Sequence, residues 1–333
     1  MLGTMIRRLR TERGLSLKSL ALEADVPFDL LSAIEEERAE RFEDNSVFLR
    51  VADRLNIRRA GVFARLLKAN RPRRFRGYNV GLMKTGTKSI AGIFSKYRSA
   101  HEFLFIDCSG TVSDYLSGNL TEKQLRNFLR KRDILGALEM DSASWHFDYI
   151  EFLIDEFPDA KFLFTFRDCY SWLDSLVEFI FSSDKVEFSG VIRRRLGLPS
   201  DLARGDSETR KALRPELPNL IEGFLELWRN GNQKVLVSVP RDRLLIIRTH
   251  EISSSFDKIA SFVGIPLHNL SHSQSFVNRT HSKRRLLHSV SHDYLDRVFG
   301  YYCGSLMNEH FPEFSLRGFL LGTSPGMNTG TTK

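Results

Sequence analysis

The segment GLMKTGTKS, residues 81–89, constrains the fold of this chain more strongly than any other stretch of its sequence. It follows a short strand pattern that runs from Tyr78 to Leu82. The apolar residues after it recur at i, i+3, i+4 and i+7, which is one face of a helix: Ile90, Ile93, Phe94 and Tyr97. A glycine loop between a strand and a helix presents free backbone N–H groups and the positive end of the helix dipole, which favour an anion. The sequence therefore predicts an anion site within an α/β fold.

The loop nearly matches the pattern GxxxxGK[ST] of nucleotide triphosphatases. Thr87 stands where that pattern has lysine, and the lysines come at Lys84 and Lys88 instead. A lysine ahead of the second glycine can reach the oxygen between a transferred group and a nucleotide phosphate, where it neutralises charge on the leaving group. Lys88 and Ser89, at the start of the helix, can hold the phosphate itself. A kinase that transfers a phosphoryl group is one interpretation that the near match leaves open.

Strand patterns alternate with helical patterns through most of the remaining chain. The further candidate strands are Phe103 to Asp107, Leu135 to Met140, Lys161 to Phe166 and Leu244 to Thr249. This alternation predicts an α/β fold, in which a parallel sheet of the P-loop or Rossmann-like type is flanked by helices.

A second basic element comes directly after the strand pattern Lys161 to Phe166. Arg167 ends that pattern, and ligands of open α/β sheets bind at the carboxyl ends of the strands. Ser175 lies eight residues later on a helical pattern, and an arginine with a hydroxyl is a good pair for a phosphate. A surface ion pair and an incidental serine would be the simpler interpretation if either residue stood alone.

The excess of positive charge lies mostly ahead of this α/β region. The net charge is +8, and residues 1–76 hold 17 Lys and Arg against 11 Asp and Glu. Residues 58–76 carry eight basic side chains and no acidic one, and Pro72 disfavours a continuous helix there. We place a helical domain at 1–57, a basic linker or helix at 58–76, an α/β domain at 77–321 and a disordered tail at 322–333.

The first 57 residues contain short helical patterns separated by tight turns. Ser16 is placed to cap the second pattern, and Pro27 is suited to the first turn of the third. The strings IRRLRTERGLSLKSLALEADVPFDLLSAIEEER and FLRVADRLNI resemble helix-turn-helix domains of the phage-repressor, xenobiotic-response-element type. The resemblance implies a small all-α domain whose third helix reads base edges in the major groove.

The third helix, PFDLLSAIEE, lacks the Arg, Lys, Asn and Gln side chains that pair best with base edges. Acidic side chains in and near it would face a polyanion: Asp29, Glu35, Glu36, Glu37 and Glu40. Basic groups for phosphates exist at Arg7, Arg8 and Arg10, but phosphate contacts carry no sequence information. DNA binding and a bundle used for protein docking, dimerisation or stability both stay open.

Several classes of protein do not fit the sequence. The N-terminus has no apolar signal core, and no apolar run approaches the roughly 18 residues of a membrane span. Cys108, Cys169 and Cys303 lack CxxC spacing, which argues against a disulfide framework or a thiolate metal cluster. We expect a cytoplasmic protein that makes no membrane contact and needs no metal.

Two strings, VGLMKTGTKSI and FLFTFRDCYSWLDSL, together resemble the bacterial sulfotransferases that use 3′-phosphoadenosine-5′-phosphosulfate. The later string RLLIIRTHEISSSFDKIASFVGIP resembles the same family, so that the likeness covers residues 77–290. It implies that the 5′-phosphosulfate is held by Lys84, Thr85, Gly86, Thr87, Lys88 and Ser89. It also implies that Arg167 and Ser175 hold the 3′-phosphate, with help from a flexible basic loop that contains Asn278, Lys283 and Arg284.

Sulfonate transfer needs a base for the acceptor hydroxyl or amine. The family carries this base just after a strand that lies between the two donor motifs, and here that place reads LEMDSASWHFDY. Asp141 is our first choice for this base. Lys84 is the residue that we expect to stabilise the leaving phosphate. Glu139 and His146 are its rivals, and a helix N-cap is the structural alternative for Asp141.

No pattern identifies the acceptor. We expect a small molecule or a carbohydrate, and we leave open a homodimer and a DNA or protein partner for the helix-turn-helix. The alternative function is a DNA-binding regulator whose α/β domain senses a nucleotide.

Overall fold

The computed structural model describes residues 2–36, 45–55, 73–182, 217–274 and 286–325 of the 333-residue chain. The chain divides into two units. The first comprises Met1–Arg74 with Asn127–Leu138, and the second comprises Phe75–Arg126 with Glu139–Lys333. Each unit has its own core, so each is described by itself.

Short helices build the first unit: α1 (Leu2–Glu12), α2 (Leu17–Glu23), α3 (Phe28–Glu35) and α4 (Asn45–Arg54). Ser16 caps α2, because its hydroxyl oxygen accepts a hydrogen bond from the Ser19 N–H at 2.9 Å. The core is a cluster of buried aliphatic side chains from all four helices, among them Ile6, Leu20, Leu31 and Val51. The amphipathic spacing of the sequence is therefore satisfied within the unit.

Five parallel strands form the sheet of the second unit: β1 (Gly77–Asn79), β2 (Ser99–His101), β3 (Met140–Ser142), β4 (Lys161–Phe166) and β5 (Leu244–Arg248). Their order is β2-β3-β1-β4-β5. The central strand β1 pairs with both β3 and β4, with Tyr78 opposite Asp141 on one side and Phe162 on the other. Because all five strands are parallel, their carboxyl ends meet at one edge of the sheet.

Helices connect and flank these strands: α5 (Thr87–Ile93), α6 (Phe105–Leu116), α7 (Glu122–Gly136), α8 (Ile150–Glu156), α9 (Cys169–Ser182), α10 (Leu217–Ser238), α11 (Phe256–Val263), α12 (His292–His310) and α13 (Leu316–Leu321). Short 3₁₀ helices include His146–Tyr149 and Thr249–Ser254. Helix α7 begins in the second unit, and its residues from Asn127 onward belong to the first. Within the described ranges, no helix combines the length and the apolar character needed to cross a membrane.

The two faces of the sheet are packed differently. Leu163 of β4 joins a buried apolar cluster with side chains of α5 and α11, such as Ile90 and Ile259. Phe162, Phe164 and Phe166 alternate with it and point to the opposite face. There Phe162 stacks on Tyr78 with ring centroids 5.8 Å apart. The period-two pattern of β4 thus directs Leu163 to one face of the sheet and its three phenylalanines to the other.

Two of the predicted strands are wrong. Phe103 to Asp107 lies at the start of helix α6, and the edge strand β2 is the more polar Ser99–His101. Leu135 to Met140 is mostly the end of helix α7, and β3 begins only at Met140. Short apolar runs look alike in a buried strand and in a buried helix segment, and here the length of the helical pattern decides the outcome.

Candidate functional site

The loop that joins β1 to α5 has a strained backbone. Lys84 has a φ of 67°, in the left-handed region that costs a non-glycine residue free energy. Gly86 has a φ of 99° and is the N-cap of α5, without a side chain that caps the helix. A Cβ at this position would also lie 2.6 Å from Ile252 Cδ1. The loop therefore needs glycine here, and Gly86 itself provides no side chain to cap α5.

Asn79, the last residue of β1, connects the start of the loop to the neighbouring strands through hydrogen bonds. Its amide group donates to Ser142 Oγ at 2.9 Å, and its Oδ1 accepts from Thr165 Oγ1 at 3.1 Å. Ser142 Oγ in turn donates to the backbone oxygen of Thr87 at 2.7 Å. One fully buried amide thus links three neighbouring strands to the beginning of α5.

Two threonines from the neighbouring strand ends fix the middle of the loop. Thr85 Oγ1 lies 2.9 Å from Thr165 Oγ1, and Thr249 Oγ1 donates to the backbone oxygen of Thr85 at 2.8 Å. At the start of the loop, a Cβ on Gly81 would lie 2.0 Å from Thr165 Oγ1. The hydroxyl of Thr165 therefore fills the space that the missing side chain of Gly81 leaves.

Lys84 is the predicted catalytic lysine, and its ammonium group is partly buried. Burial, together with the positive charge of Arg167, lowers the pKa of Lys84 below the usual lysine value. Its Nζ lies 4.7 Å from the centroid of the Phe179 ring on α9. An anion beside Lys84 would raise this pKa again, because it would stabilise the charged ammonium group against burial and against the positive charge of Arg167.

Arg167 lies at the carboxyl end of β4, next to the loop. Its Nη1 donates to the backbone oxygen of Lys84 at 2.9 Å, and its Nε donates to Ser171 Oγ at 2.9 Å. Ser171 is itself hydrogen-bonded to Asp168. Burial lowers the pKa of the Arg167 guanidinium, while the carboxylates of Asp168 and Asp174 act in the opposite direction. The structure thus brings together the two cations that the sequence placed in separate motifs.

The other predicted donor-binding residues within the described ranges lie in the loop and on the helices α5 and α9. Thr87 and Ser89 are buried on the first turn of α5, and Lys88 between them is exposed. Thr87 Oγ1 lies 3.0 Å from His101 Nε2 at the end of β2. Ser175 is buried on α9. Asn278, Lys283 and Arg284 lie outside the described residues.

The three candidates for the base have different surroundings. The Glu139 carboxylate accepts from the Arg98 N–H at 3.0 Å and lies 3.9 Å from the Arg98 guanidinium. Asp141 lies in the middle of β3, with its Oδ2 3.5 Å from His146 Nε2. His146 is completely buried, and its Nδ1 is 2.8 Å from the backbone oxygen of Asn79. Asp141 and His146 therefore lie next to each other, whereas Glu139 contacts Arg98.

Sequence patterns missed the residues that support the loop: Asn79, Ser142, Thr165 and Thr249. Each is a polar residue at the carboxyl end of a strand or directly after one. That position is the signal that could have identified them, because ligand sites of parallel sheets lie at this edge. Their partners were not predictable, since they depend on the order of the strands.

One assignment in the first unit needs correction. Glu35 does not face outward from α3, because its carboxylate is buried and accepts two hydrogen bonds from Arg10, each 2.7 Å long. Arg7 also donates to the Glu35 backbone oxygen at 2.6 Å. Arg10 and Glu35 therefore stabilise the unit, and neither is available to a polyanion. Glu37 and Glu40 lie outside the described residues.

A metal site finds no support in the described residues, where no group of three or more His, Cys, Asp or Glu side chains could hold an ion. Two histidine pairs have the HxxxH spacing, His268/His272 and His288/His292, and neither pair lies on a single helix. His268 and His272 belong to separate 3₁₀ segments, and His272 stacks on Phe256.

Comparison with known proteins places this region in a family. The model of the sulfotransferase domain family matches residues 79–274, which begin at the last residue of β1 and include the glycine loop and the strands β2 to β5. Among solved structures, the chain is similar to the sulfotransferase STF9 from Mycobacterium avium, with 13% identity and a TM-score of 0.41 over 90% of this chain and 95% of that one. No curated protein matches the sequence.

Proposed function

The chain belongs to the sulfotransferase domain family, and we propose on this premise that it transfers a sulfonate group from 3′-phosphoadenosine-5′-phosphosulfate to a hydroxyl or an amine of an acceptor. The observation that carries the proposal is the contact between Lys84 and Arg167. Arg167 donates to the backbone of Lys84, and each cation has a pKa lowered by burial. Two partly buried cations at the carboxyl edge of a parallel sheet are suited to a polyanionic nucleotide.

The residues of the loop fit a phosphosulfate group. Gly86 has a positive φ and provides no side-chain cap, and N–H groups at the start of a helix favour an anion. We assign the 5′-phosphosulfate to Lys84, Thr85, Gly86, Thr87, Lys88 and Ser89. We assign the 3′-phosphate to Arg167 and Ser175, with Asn278, Lys283 and Arg284 as further candidates.

When bound, the donor supplies the sulfonate group and a phosphate leaving group. Lys84 stabilises the negative charge that develops on the oxygen between them, where a preformed cation is most effective. Arg167 holds the nucleotide and fixes the backbone of Lys84 at the same time. Asp141 accepts the proton of the acceptor as the general base.

For the acceptor we propose a small molecule or a carbohydrate. The exposed ring of Phe179, which lies against Lys84, is a candidate for one wall of its site. A cytoplasmic location, a homodimer and the binding of DNA or protein by the first unit stay predictions.

The decisive experiment is calorimetry with 3′-phosphoadenosine-5′-phosphate on the full chain. We expect saturable 1:1 binding without added metal, and release of labelled sulfonate from the donor to at least one acceptor in a panel of phenols, alcohols and amines. Absence of nucleotide binding contradicts the proposal. Magnesium-dependent binding of a nucleoside triphosphate in its place would support a phosphoryl-transfer kinase.

The alternative, a DNA-binding regulator that senses a nucleotide, has its own test. A salt-dependent gel shift on a specific DNA sequence, compared with random DNA of equal length, would support it. The structure adds no base-reading side chain to α3, and it removes Arg10 from the groups available to phosphates.

A further inference from the structure

His146 lies between two oxygen atoms in the interior of the α/β unit. Its side chain is 0% exposed, with Nδ1 2.8 Å from the Asn79 carbonyl oxygen and Nε2 3.5 Å from Asp141 Oδ2. The rings of Tyr78 and Tyr149 approach it edge-on, with centroids at 5.4 Å and 6.0 Å. The imidazole is therefore held firmly in one orientation.

The contact with Asn79 fixes the tautomer of the ring. A carbonyl oxygen can only accept a hydrogen bond, so Nδ1 carries a hydrogen and donates it. In the neutral ring Nε2 then has a lone pair, and this lone pair faces the Asp141 carboxylate. Within the described part of the chain, Nε2 makes no hydrogen bond. Two acceptors that face each other repel until a proton lies between them.

Charged residues on the adjoining turn and helices include Asp148, Glu151 and Lys234. Asp148, on the same 3₁₀ turn as His146, is buried. Lys234 of α10 donates to the backbone oxygen of Asp148 at 2.9 Å and pairs with Glu151 at 2.9 Å. The ammonium of Lys234 is thus already engaged with two oxygen atoms, and it does not replace the missing proton.

We propose that Asp141 and His146 act together as one proton acceptor in sulfonate transfer, with Asp141 as the catalytic base and His146 as a positioning residue. This inference rests on the proposed function. The proton must enter through Asp141, because 5% of its side chain is exposed whereas His146 is completely enclosed. His146 donates to the backbone oxygen of Asn79, the last residue of β1, so the pair lies next to the strand end from which the donor loop starts.

The step balances in atoms and charge. The acceptor oxygen or nitrogen forms a bond to sulfur and loses its proton to Asp141 Oδ2. The bond between sulfur and the bridging oxygen breaks, and its electron pair stays with the phosphate, beside Lys84. The proton on Asp141 is shared with His146 Nε2, which turns the repulsion between two acceptors into a hydrogen bond. His146 therefore stabilises the proton that Asp141 has accepted, and it does not contact the acceptor.

The tautomer is tested by ¹⁵N NMR of the full chain labelled at histidine, without any ligand. We expect the His146 ring to carry hydrogen on Nδ1 at neutral pH, and its Nε2 signal to change in Asp141→Asn. The signal is assigned by its loss in His146→Gln. A ring with hydrogen on Nε2 and a bare Nδ1 overturns the proposal. This readout does not depend on turnover, so it separates the pair from the proposed function.

Kinetics test the roles, with labelled donor and with 4-nitrophenol, hexanol, glucosamine and water as acceptors. Asp141→Asn is expected to lower kcat by about 10²- to 10⁴-fold, the usual contribution of a general base, with little change in the affinity for 3′-phosphoadenosine-5′-phosphate. His146→Gln is expected to lower kcat by a smaller factor without raising KM. It should also move the acid limb of the kcat profile to lower pH, because the protonated form of Asp141 loses the Nε2 atom that accepts its hydrogen bond.

The double variant separates a positioning role from an independent one. If His146 acts through Asp141, adding His146→Gln to Asp141→Asn lowers kcat no further. Fully additive losses overturn the proposal, and so does a loss in Glu139→Gln as large as that in Asp141→Asn. If the wild-type chain binds no nucleotide and transfers no sulfonate, the proposed function fails, whatever the NMR result.

Discussion

The two units of this chain use arginine in opposite ways. In the first unit, Arg10 and Glu35 form a buried two-bond pair whose charges cancel. In the second, Arg167 lies against the backbone of Lys84, and burial lowers the pKa of both cations. The unit with the larger excess of positive charge thus uses one of its arginines for stability, while the nearly neutral unit holds the two cations that we assign to the anion site.

The difference shows that net charge is a poor guide to where an anion binds. Hydrogen bonds between Arg10 and Glu35 raise the pKa of Arg10, as expected for a cation whose partner is already present. Burial and Arg167 lower the pKa of Lys84, and we propose that this cation is compensated by a bound anion. Local compensation of charge, and not the count of basic residues, separates a structural cation from a binding one.

The largest expected effect follows from removing the uncompensated lysine. Lys84→Ala should lower the rate of sulfonate transfer by at least about 10²- to 10³-fold, since it removes charge stabilisation where the leaving group develops charge. The melting temperature and circular dichroism should stay close to those of the wild-type protein. The matched control is Lys123→Ala, at an exposed position of α7. Undiminished turnover in Lys84→Ala would contradict the mechanism.

Arg167 provides the second test of the comparison. Arg167→Gln should weaken the binding of 3′-phosphoadenosine-5′-phosphate by about 10- to 100-fold, because a charge-assisted hydrogen bond contributes about 1.5–3 kcal/mol. Calorimetry measures this loss directly. Arg10→Met is the control from the other unit, and it should leave the affinity unchanged. Equal losses of nucleotide affinity in the two variants would contradict the assignment of Arg167 as a binding arginine and of Arg10 as a structural one.

The same Arg10→Met variant should lower the free energy of unfolding more than Arg8→Met does. It leaves the Glu35 carboxylate buried without its partner, which costs about 3–5 kcal/mol in comparable pairs. Arg8→Met removes an arginine from the same helix, but the pair of Arg8 with Glu12 is largely exposed and contributes less than about 1 kcal/mol. Denaturant unfolding of the full chain, followed at its first transition, measures both. A cost below about 1 kcal/mol for Arg10→Met would show that its pair with Glu35 is not structural.

The smallest expected effect is the uptake of a fraction of a proton when the nucleotide binds. Because the pKa of Lys84 is lowered in the free protein, a bound anion should raise it again, and nucleotide binding at alkaline pH should take up protons. The free energy of unfolding of the free protein should also rise with pH towards the usual lysine value of 10.5, since the unfolded chain holds this proton more tightly. Calorimetry in buffers of different ionisation enthalpy measures the uptake. Lys84→Met should abolish it, and uptake that persists in that variant would assign the proton to another group.

Much of the fold was predictable, and the failures have a common cause. The pattern around Gly86 predicted the loop and the helix after it, and the alternation of β4 predicted a strand over Lys161–Phe166, where the structure has it. The apolar runs at 103–107 and 135–140 were interpreted as strands, because short apolar segments carry no period that separates strand from helix. The edge strand β2, Ser99–His101, was missed because it is short and lies at the rim of the sheet.

The sequence by itself determined the family and the residue types of the site, because the spacing of glycine, lysine, arginine and serine is a local property of the chain. Only the tertiary structure decided which of these residues meet. The order β2-β3-β1-β4-β5 brings Thr165 and Ser142 to either side of Asn79, and it pairs Asp141 with His146. Packing of α1 against α3 likewise turned Glu35 inward. Such contacts depend on the path of the whole chain, and no local pattern records that path.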